Sequence, residues 1–289
     1  MSTPVDTLEK INEEPKTWRR GGSPLIIAHR GAAAELPENT LEAFELAWRQ
    51  GADGIEFDVQ LSSDDVPVVI HDPCLDRTTS GCGRVRNYAA KDLKRLDAGS
   101  WFNERYPSKT RPQNTGLRIP LLAEALEWVQ ERNCRAFVEI KDGGTACSGI
   151  EARVLEAICQ ARVLHQTTVI SFDLAVLKRC RELDPSIALG IDFPRPLHAL
   201  SKARSISAVS VHPHWMFMSS RSVACIHRAG FQVLVWGLDS ETPITDVMKS
   251  EVDGLMTDRP ASAVELRAAM WARSPVSGSG ARGRWSTDL

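Results

Sequence analysis

Leu25-Ile26-Ile27-Ala28-His29 is a short, almost wholly apolar run, and Gly54-Ile55-Glu56-Phe57-Asp58-Val59-Gln60-Leu61 is a second one, interrupted by two alternating acids. Between them, Leu41 to Gln50 has the amphipathic spacing of a helix. Strand, helix, strand, with strands apolar enough to be covered on both faces, is the unit of a parallel sheet. The unit recurs along the chain. Further strand-like runs are Pro67–His71, Arg135–Ile140, Thr168–Phe172, Ile187–Ile191, Ala208–His212, Gln232–Trp236 and Gly254–Thr257. Helix-like runs are Thr40–Gln50, Leu121–Arg132, Ile150–Arg162, Leu174–Leu183, Ser219–Ala229, Thr242–Lys249 and Ala261–Ala272. A count of about eight strands predicts an α/β fold, a TIM (β/α)8 barrel rather than an open doubly wound sheet. Neither G-x-G-x-x-G nor G-x-x-x-x-G-K-[ST] occurs, so the dinucleotide and P-loop folds lack their fingerprints.

One stretch breaks the rhythm. Pro73 to Gly116 is too long for a plain strand-to-helix connection. It holds Arg77-Thr78-Thr79-Ser80-Gly81-Cys82-Gly83, a short helix-like Ala90–Leu96, and Trp101-Phe102 in a polar loop. It reads as a small inserted subdomain over about 73–116, after the second strand region, capping the C-terminal face where barrel active sites lie. The expected domain covers 23–273, with a flexible N-terminal tail at 1–22 and a disordered, Ser/Gly/Arg-rich tail at 274–289.

The 289 residues are 43% hydrophobic, enough for a sizeable core, and a formal charge of -2 with pI near 6.4 offers no electrostatic footprint for nucleic acid or an anionic membrane. An anionic substrate must therefore be met by a local site. The seven cysteines are odd in number and form no CxxC. Cys134, Cys159, Cys180 and Cys225 read as buried thiols, and Cys74 and Cys82 as two free ones, in a reducing compartment. The first twenty residues have no apolar signal core, and no run reaches membrane-spanning length. The expectation is a cytoplasmic protein without stable membrane insertion.

Glu56 and Asp58 are two apart on one strand, so their side chains share a face. Acidic alternation ordinarily marks a strand facing water. Here the flanks Ile55, Phe57 and Val59 are apolar, and paired acids inside a barrel repel each other unless a cation lies between them. Glu139, in Val138-Glu139-Ile140-Lys141, adds a third oxygen donor from a later strand. Three carboxylates without cysteine suit one divalent cation, Mg²⁺ or Ca²⁺, better than Zn²⁺.

His29 and His71 each close an apolar run beside these acids, the placement expected of a general acid–base pair. Arg30 and Lys141 are the natural partners of phosphate oxygens, or of the adjacent carboxylates. In Pro37-Glu38-Asn39-Thr40, Asn39 or Thr40 can cap the helix that follows, and Glu38 either shares that role or supports Arg30 and the metal. Trp236 either packs over the glycerol or apolar part of a substrate or fills the core. His212 and His214 read as ordinary loop-end residues. Asp72, Asp192 and Asp258 also lie near strand ends, where each alone carries little weight.

Taken together, His29-Arg30-Gly31, Pro37-Glu38-Asn39-Thr40, Glu56-Phe57-Asp58-Val59, His71-Asp72, Glu139-Ile140-Lys141 and Asp253-Gly254 with Thr257-Asp258-Arg259-Pro260 resemble the glycerophosphodiester phosphodiesterase family, in its order and over roughly residues 24–272. The resemblance implies a TIM-type barrel holding one divalent cation through Glu56, Asp58 and Glu139. His29 and His71 would be the acid–base pair, and Arg30 and Lys141 would hold the phosphate. It implies hydrolysis of a small glycerophosphodiester such as glycerophosphocholine to an alcohol and sn-glycerol 3-phosphate, with either the substrate's 2-hydroxyl or water as first nucleophile. The chain departs from the family at Trp236-Gly237-Leu238-Asp239, where Trp-Thr followed by Val-Asn is usual. The alternative is a phospholipase D-type hydrolase of lysophospholipids, with Trp101, Phe102 and Trp215-Met216-Phe217-Met218 as an apolar approach.

Overall fold

The computed structural model describes residues 22–141, 149–193, 199–238 and 240–272. Nine strands form one sheet: β1 (Leu25–His29), β2 (Gly54–Leu61), β3 (Pro67–Val69), β4 (Arg135–Ile140), β5 (Thr167–Ser171), β6 (Ala188–Phe193), β7 (Ser210–Pro213), β8 (Gln232–Val235) and β9 (Gly254–Thr257). The spatial order is β1-β9-β8-β7-β6-β5-β4-β2-β3, and β1 also pairs with β2. That last pairing closes eight parallel strands into the expected barrel. Helices surround it, among them Leu41–Arg49, Leu122–Arg132, Ile150–Gln160, Leu174–Leu183, Ala199–Ser205, Ser220–Arg228, Glu241–Lys249 and Pro260–Trp271.

The period of two along each strand sorts side chains between two cores. Ile26, Ala28, Ile55, Phe57, Val59, Val138, Leu189, Val211 and Val235 pack outwards against the helices in the main apolar cluster. Leu25, Ile27, Phe137, Ile170, Leu234 and Met256 form a separate, smaller cluster in the barrel interior. Phe44 meets Phe57 and Trp128 at ring centroid distances of 5.5 and 5.8 Å, anchoring two helices to β2. Thr40 caps the first helix, its hydroxyl accepting from the Ala43 N–H at 3.2 Å.

The run Pro67–His71 is not a barrel strand. β3 pairs antiparallel with β2, Leu61 opposite Pro67 and Val59 opposite Val69. β2 is long enough to overshoot the barrel rim, and the hairpin carries the chain back, so His71 lies past β3 rather than at the end of a parallel strand. The Ile70 N–H donates to the Asp58 carbonyl at 3.0 Å, and the Gln60 amide donates to the His71 carbonyl at 2.7 Å. Those contacts return His71 to the level of the acids on β2.

The segment after the hairpin builds its own small core from Val68, Ile70, Leu75, Val85, Ala90, Leu93, Ala98 and Ile119. Trp101 and Phe102 are helical, in Ser100–Arg105, and not in a loop; Phe102 is buried, with Tyr106 at 4.8 Å. A polar sequence around two aromatics conceals a helix that buries one of them. Cys134 and Cys180 are buried as expected, whereas Cys159 and Cys225 are exposed on the outer faces of their helices, and Cys74 and Cys82 are free. Cys147, Asp239 and the expected tails, save Gly22, lie outside the described residues.

Candidate active site

The C-terminal ends of the barrel strands converge on a cavity of about 370 Å³ lined by His29, Arg30, Glu56, His71, Glu139, Lys141, Ile170, Phe172, Asp192, His214, Trp236, Gly237, Met256 and Asp258. Inward alternation on β2 and β4 places Glu56, Asp58 and Glu139 together, and one ligand atom from each lies within 4.8 Å of the others. All three are buried. Burial and the Asp58 charge push Glu56 up to about 7. Burial raises Glu139 well above the ordinary carboxylate range, with Asp58 and Asp192 adding to it. Burial would raise Asp58 too, but Arg30 and Lys141 outweigh it and hold that group ionised. Three crowded carboxylates, two of them forced towards neutrality, are what a hard divalent cation relieves. Glu56 Oε1 is buried with no hydrogen-bond partner, which fits the same donor set. Among the described residues this is the one such cluster of acids, histidines or cysteines.

Two cations adjoin the cluster. Lys141 Nζ lies 3.0 Å from Asp58 Oδ1 and 2.6 Å from Glu139 Oε1. Arg30 Nε lies 3.0 Å from Asp58 Oδ2, and its Nη1 donates to Glu38 Oε1 at 2.9 Å. Of the two capping candidates, Thr40 takes the cap; Asn39 donates instead from Nδ2 to Asp58 Oδ2 at 2.8 Å.

Each candidate histidine is held by its own aspartate. His29 Nδ1 is 2.7 Å from Asp258 Oδ1, and its Nε2 is 3.9 Å from Glu56 Oε2. His71 Nδ1 is 2.6 Å from Asp72 Oδ1. The two environments act in opposite directions. Burial and Arg30 pull His29 down, but the Asp258 hydrogen bond and the Glu56 charge outweigh them and leave it raised. At His71, burial, Arg30 and Lys141 prevail over Asp58 and Asp72, and the group is lowered.

Three of these partners show no sign of their pairing in the sequence. Asp258 and His29 are 229 residues apart, and their pairing follows from β9 lying beside β1. Asp72 was visible in the sequence but gave no sign of its bond to His71. Arg77, in the inserted stretch, donates from Nη1 and Nη2 to Glu38 and from Nε and Nη2 to Asp72, so it ties the Arg30 support to the His71 support. Trp236 lines the cavity, edge-on to Phe172 and His214, and donates from Nε1 to the His212 carbonyl at 3.0 Å. His212 is no loop-end residue; it is fully buried inside the barrel. At the position where threonine is usual, Gly237 has φ +86°, and a Cβ there would stand 2.5 Å from His214 Nε2.

Gly31 is demanded by the same local geometry. The chain leaves β1 through left-handed Arg30 (φ 55°) and Gly31 (φ 86°), which turns the Arg30 N–H onto the Glu56 carbonyl and carboxylate. A Cβ on Gly31 would lie 2.7 Å from the Ala43 carbonyl carbon, which is backbone and cannot swing away. Gly31→Ala is therefore expected to cost about 2–3 kcal/mol of stability. Denaturant unfolding checks it, and a loss within about 0.5 kcal/mol, the range of an ordinary surface change, would contradict it.

Residues 29–262 match the sequence model of the Glycerophosphoryl diester phosphodiesterase family. A glycerophosphodiester phosphodiesterase of Caldanaerobacter subterraneus is 34% identical over 246 residues, covering 84% of this chain and 97% of that protein. One from Bacillus altitudinis is 35% identical over 249 residues, covering 85% and 98%. Among solved structures, a phosphodiesterase of Oleispira antarctica in complex with the product sn-glycerol-3-phosphate superposes with a TM-score of 0.74 at 29% identity, over 85% of this chain and 97% of the other. A glycerophosphodiester phosphodiesterase of Agrobacterium tumefaciens gives a TM-score of 0.71 at 29% identity, over 84% and 99%.

Proposed function

The chain belongs to the glycerophosphoryl diester phosphodiesterase family, and from that premise we propose that its barrel mouth hydrolyses small glycerophosphodiesters, such as glycerophosphocholine, to an alcohol and sn-glycerol 3-phosphate. The observation that carries the reading is two aspartate-held imidazoles and two cations around three buried carboxylates in a single cavity. Glu56, Asp58 and Glu139 hold one divalent cation, Mg²⁺ or Ca²⁺, which supplies Lewis-acid charge at the phosphoryl group when bound. Arg30 and Lys141 meet the remaining phosphate oxygens. Glu38 and Asn39 fix Arg30 and Asp58 from behind, and Trp236 lies against the carbon face of the glycerol.

His71, tipped towards its neutral form, takes the proton from the attacking oxygen. His29, tipped towards its protonated form, delivers one to the departing alcohol. The attacking oxygen is the substrate's own 2-hydroxyl, already tethered to the phosphorus it attacks. Its O–P bond forms as the alcohol O–P bond breaks, leaving a cyclic phosphate. Water then opens the ring with the proton roles reversed: His29 accepts from water, and His71 returns a proton to the 2-oxygen. The setting proposed is cytoplasmic; no helix among the described residues is long and apolar enough to cross a membrane.

The deciding experiment is release of glycerol 3-phosphate from glycerophosphocholine by the purified chain, in EDTA and after adding back Mg²⁺ or Ca²⁺. Metal-restored release is expected. No release with either ion would overturn the reading. The pH profile gives a separate check. Because Asp258 raises the His29 pKa, Asp258→Asn is expected to move the alkaline limb of kcat/KM to lower pH by about one unit or more. A limb that stays in place would mean that His29 is not the group losing its proton there.

A further inference from the structure

A TIM-barrel interior is ordinarily packed with apolar side chains. Here it holds a polar string. Ser210 Oγ is 2.8 Å from His212 Nε2, and His212 Nδ1 is 3.0 Å from Asp192 Oδ1. Ser210 and His212 are 0% exposed and Asp192 4%. With a proton on Nδ1 the ring donates to Asp192, and Nε2 pairs with the Ser210 hydroxyl. The backbone is shaped to admit this ring: Gly190 faces it, and a Cβ there would lie 2.6 Å from His212 Cε1 and 2.8 Å from Ser210 Oγ. A buried string of this kind costs stability unless its polar atoms are paired, and it ends unpaired. Asp192 lines the cavity, yet its Oδ2 is buried without a hydrogen-bond partner.

That oxygen needs a donor from outside the protein. It does not belong to the three-carboxylate cluster that fits a cation. A phosphate oxygen would be repelled, and a bare carbon would leave the carboxylate buried and unpaired. Ile170 and Met256 line the same cavity and belong to the interior apolar core, which suits a small neutral group carrying an O–H. In a glycerophosphodiester whose 2-hydroxyl serves the reaction, the remaining O–H is the terminal one.

We propose that Asp192, braced by His212 and Ser210, accepts a hydrogen bond from the terminal glycerol hydroxyl and thereby selects deacylated glycerophosphodiesters over lysophospholipids. The inference rests on the reading given under Proposed function. An acyl group at that hydroxyl replaces the donor with an ester oxygen, so that acceptor would face acceptor, a repulsive element in the specificity. The exposed Met216 and Phe217, which would suit an acyl chain, do not remove that conflict.

The test compares kcat/KM of the full chain, with Mg²⁺ or Ca²⁺ present, for glycerophosphocholine, its 1-deoxy analogue and 1-acyl lysophosphatidylcholine. The wild type is expected to lose at least about 100-fold on the deoxy analogue, because the site's own acceptor is then left unpaired. In Asp192→Ala that ratio is expected to shrink to within about tenfold, since the unpaired carboxylate is gone. Three results would overturn the proposal: a wild type that turns over both small substrates alike, a variant that slows both while keeping the ratio, or lysophosphatidylcholine as the better substrate. If Asp192→Ala does not fold, the wild-type ratio still decides. A wild type that cleaves the lysophospholipid but not glycerophosphocholine sinks both the substrate reading and this inference, whereas loss of the ratio alone sinks only the latter.

Discussion

His29→Ala and His71→Ala are each expected to lower the rate of glycerol 3-phosphate release by about 10²–10⁴-fold, the ordinary contribution of a positioned general acid or base. In both residues Nδ1 is committed to an aspartate, at 2.7 Å for His29 and 2.6 Å for His71. That fixes each ring and leaves Nε2 as the working atom. Neither side chain belongs to the acidic cluster, so titration calorimetry with the divalent cation should give nearly unchanged affinity in both variants. Because the two groups act in the same step, the double variant is expected to lose far less than the product of the single losses. Unchanged turnover in either single variant would sink the acid–base assignment.

Glu56→Gln and Glu139→Gln are expected to act the other way round, lowering cation affinity by about 10²-fold or more and abolishing metal-dependent turnover. Glutamine keeps the shape but withdraws the charge. The cation-free protein should be no less stable for it. Glu56 is raised to about 7 by burial and by Asp58, so the folded state prefers it protonated. A group raised on folding contributes stability that is full below its unfolded pKa and lost as pH rises through the folded one. In the chelated proteins, Glu56→Gln is therefore expected to gain on the wild type in melting temperature as pH rises from the ordinary carboxylate range to about 7, and to hold that gain above it. Equal melting temperatures across that range would show that Glu56 is not held against its charge.

Three candidate ligands, both candidate histidines and both candidate phosphate partners were legible in the sequence, because each sits at or next to the end of an apolar run or within an acidic alternation. Asn39 was legible as a helix cap and turned out to bond Asp58, because the left-handed turn at Asn39 (φ 58°) frees its side chain from the helix. Asp258, Arg77 and the Ser210–His212–Asp192 string were not legible as members of the candidate site. Each is paired with a residue on another strand or segment.

By itself the sequence determined the eight-stranded parallel barrel and the placement of the acids inside it. Those follow from local rules, since a period of two and apolar flanks act within a few residues. The tertiary structure alone decided which face His71 reaches, because a hairpin had to overshoot the rim and return. It also decided which aspartate holds which histidine, and that a glycine on β6 makes room for an imidazole from β7. Such pairings depend on strand register and barrel closure, and both are set by contacts between segments distant in the chain.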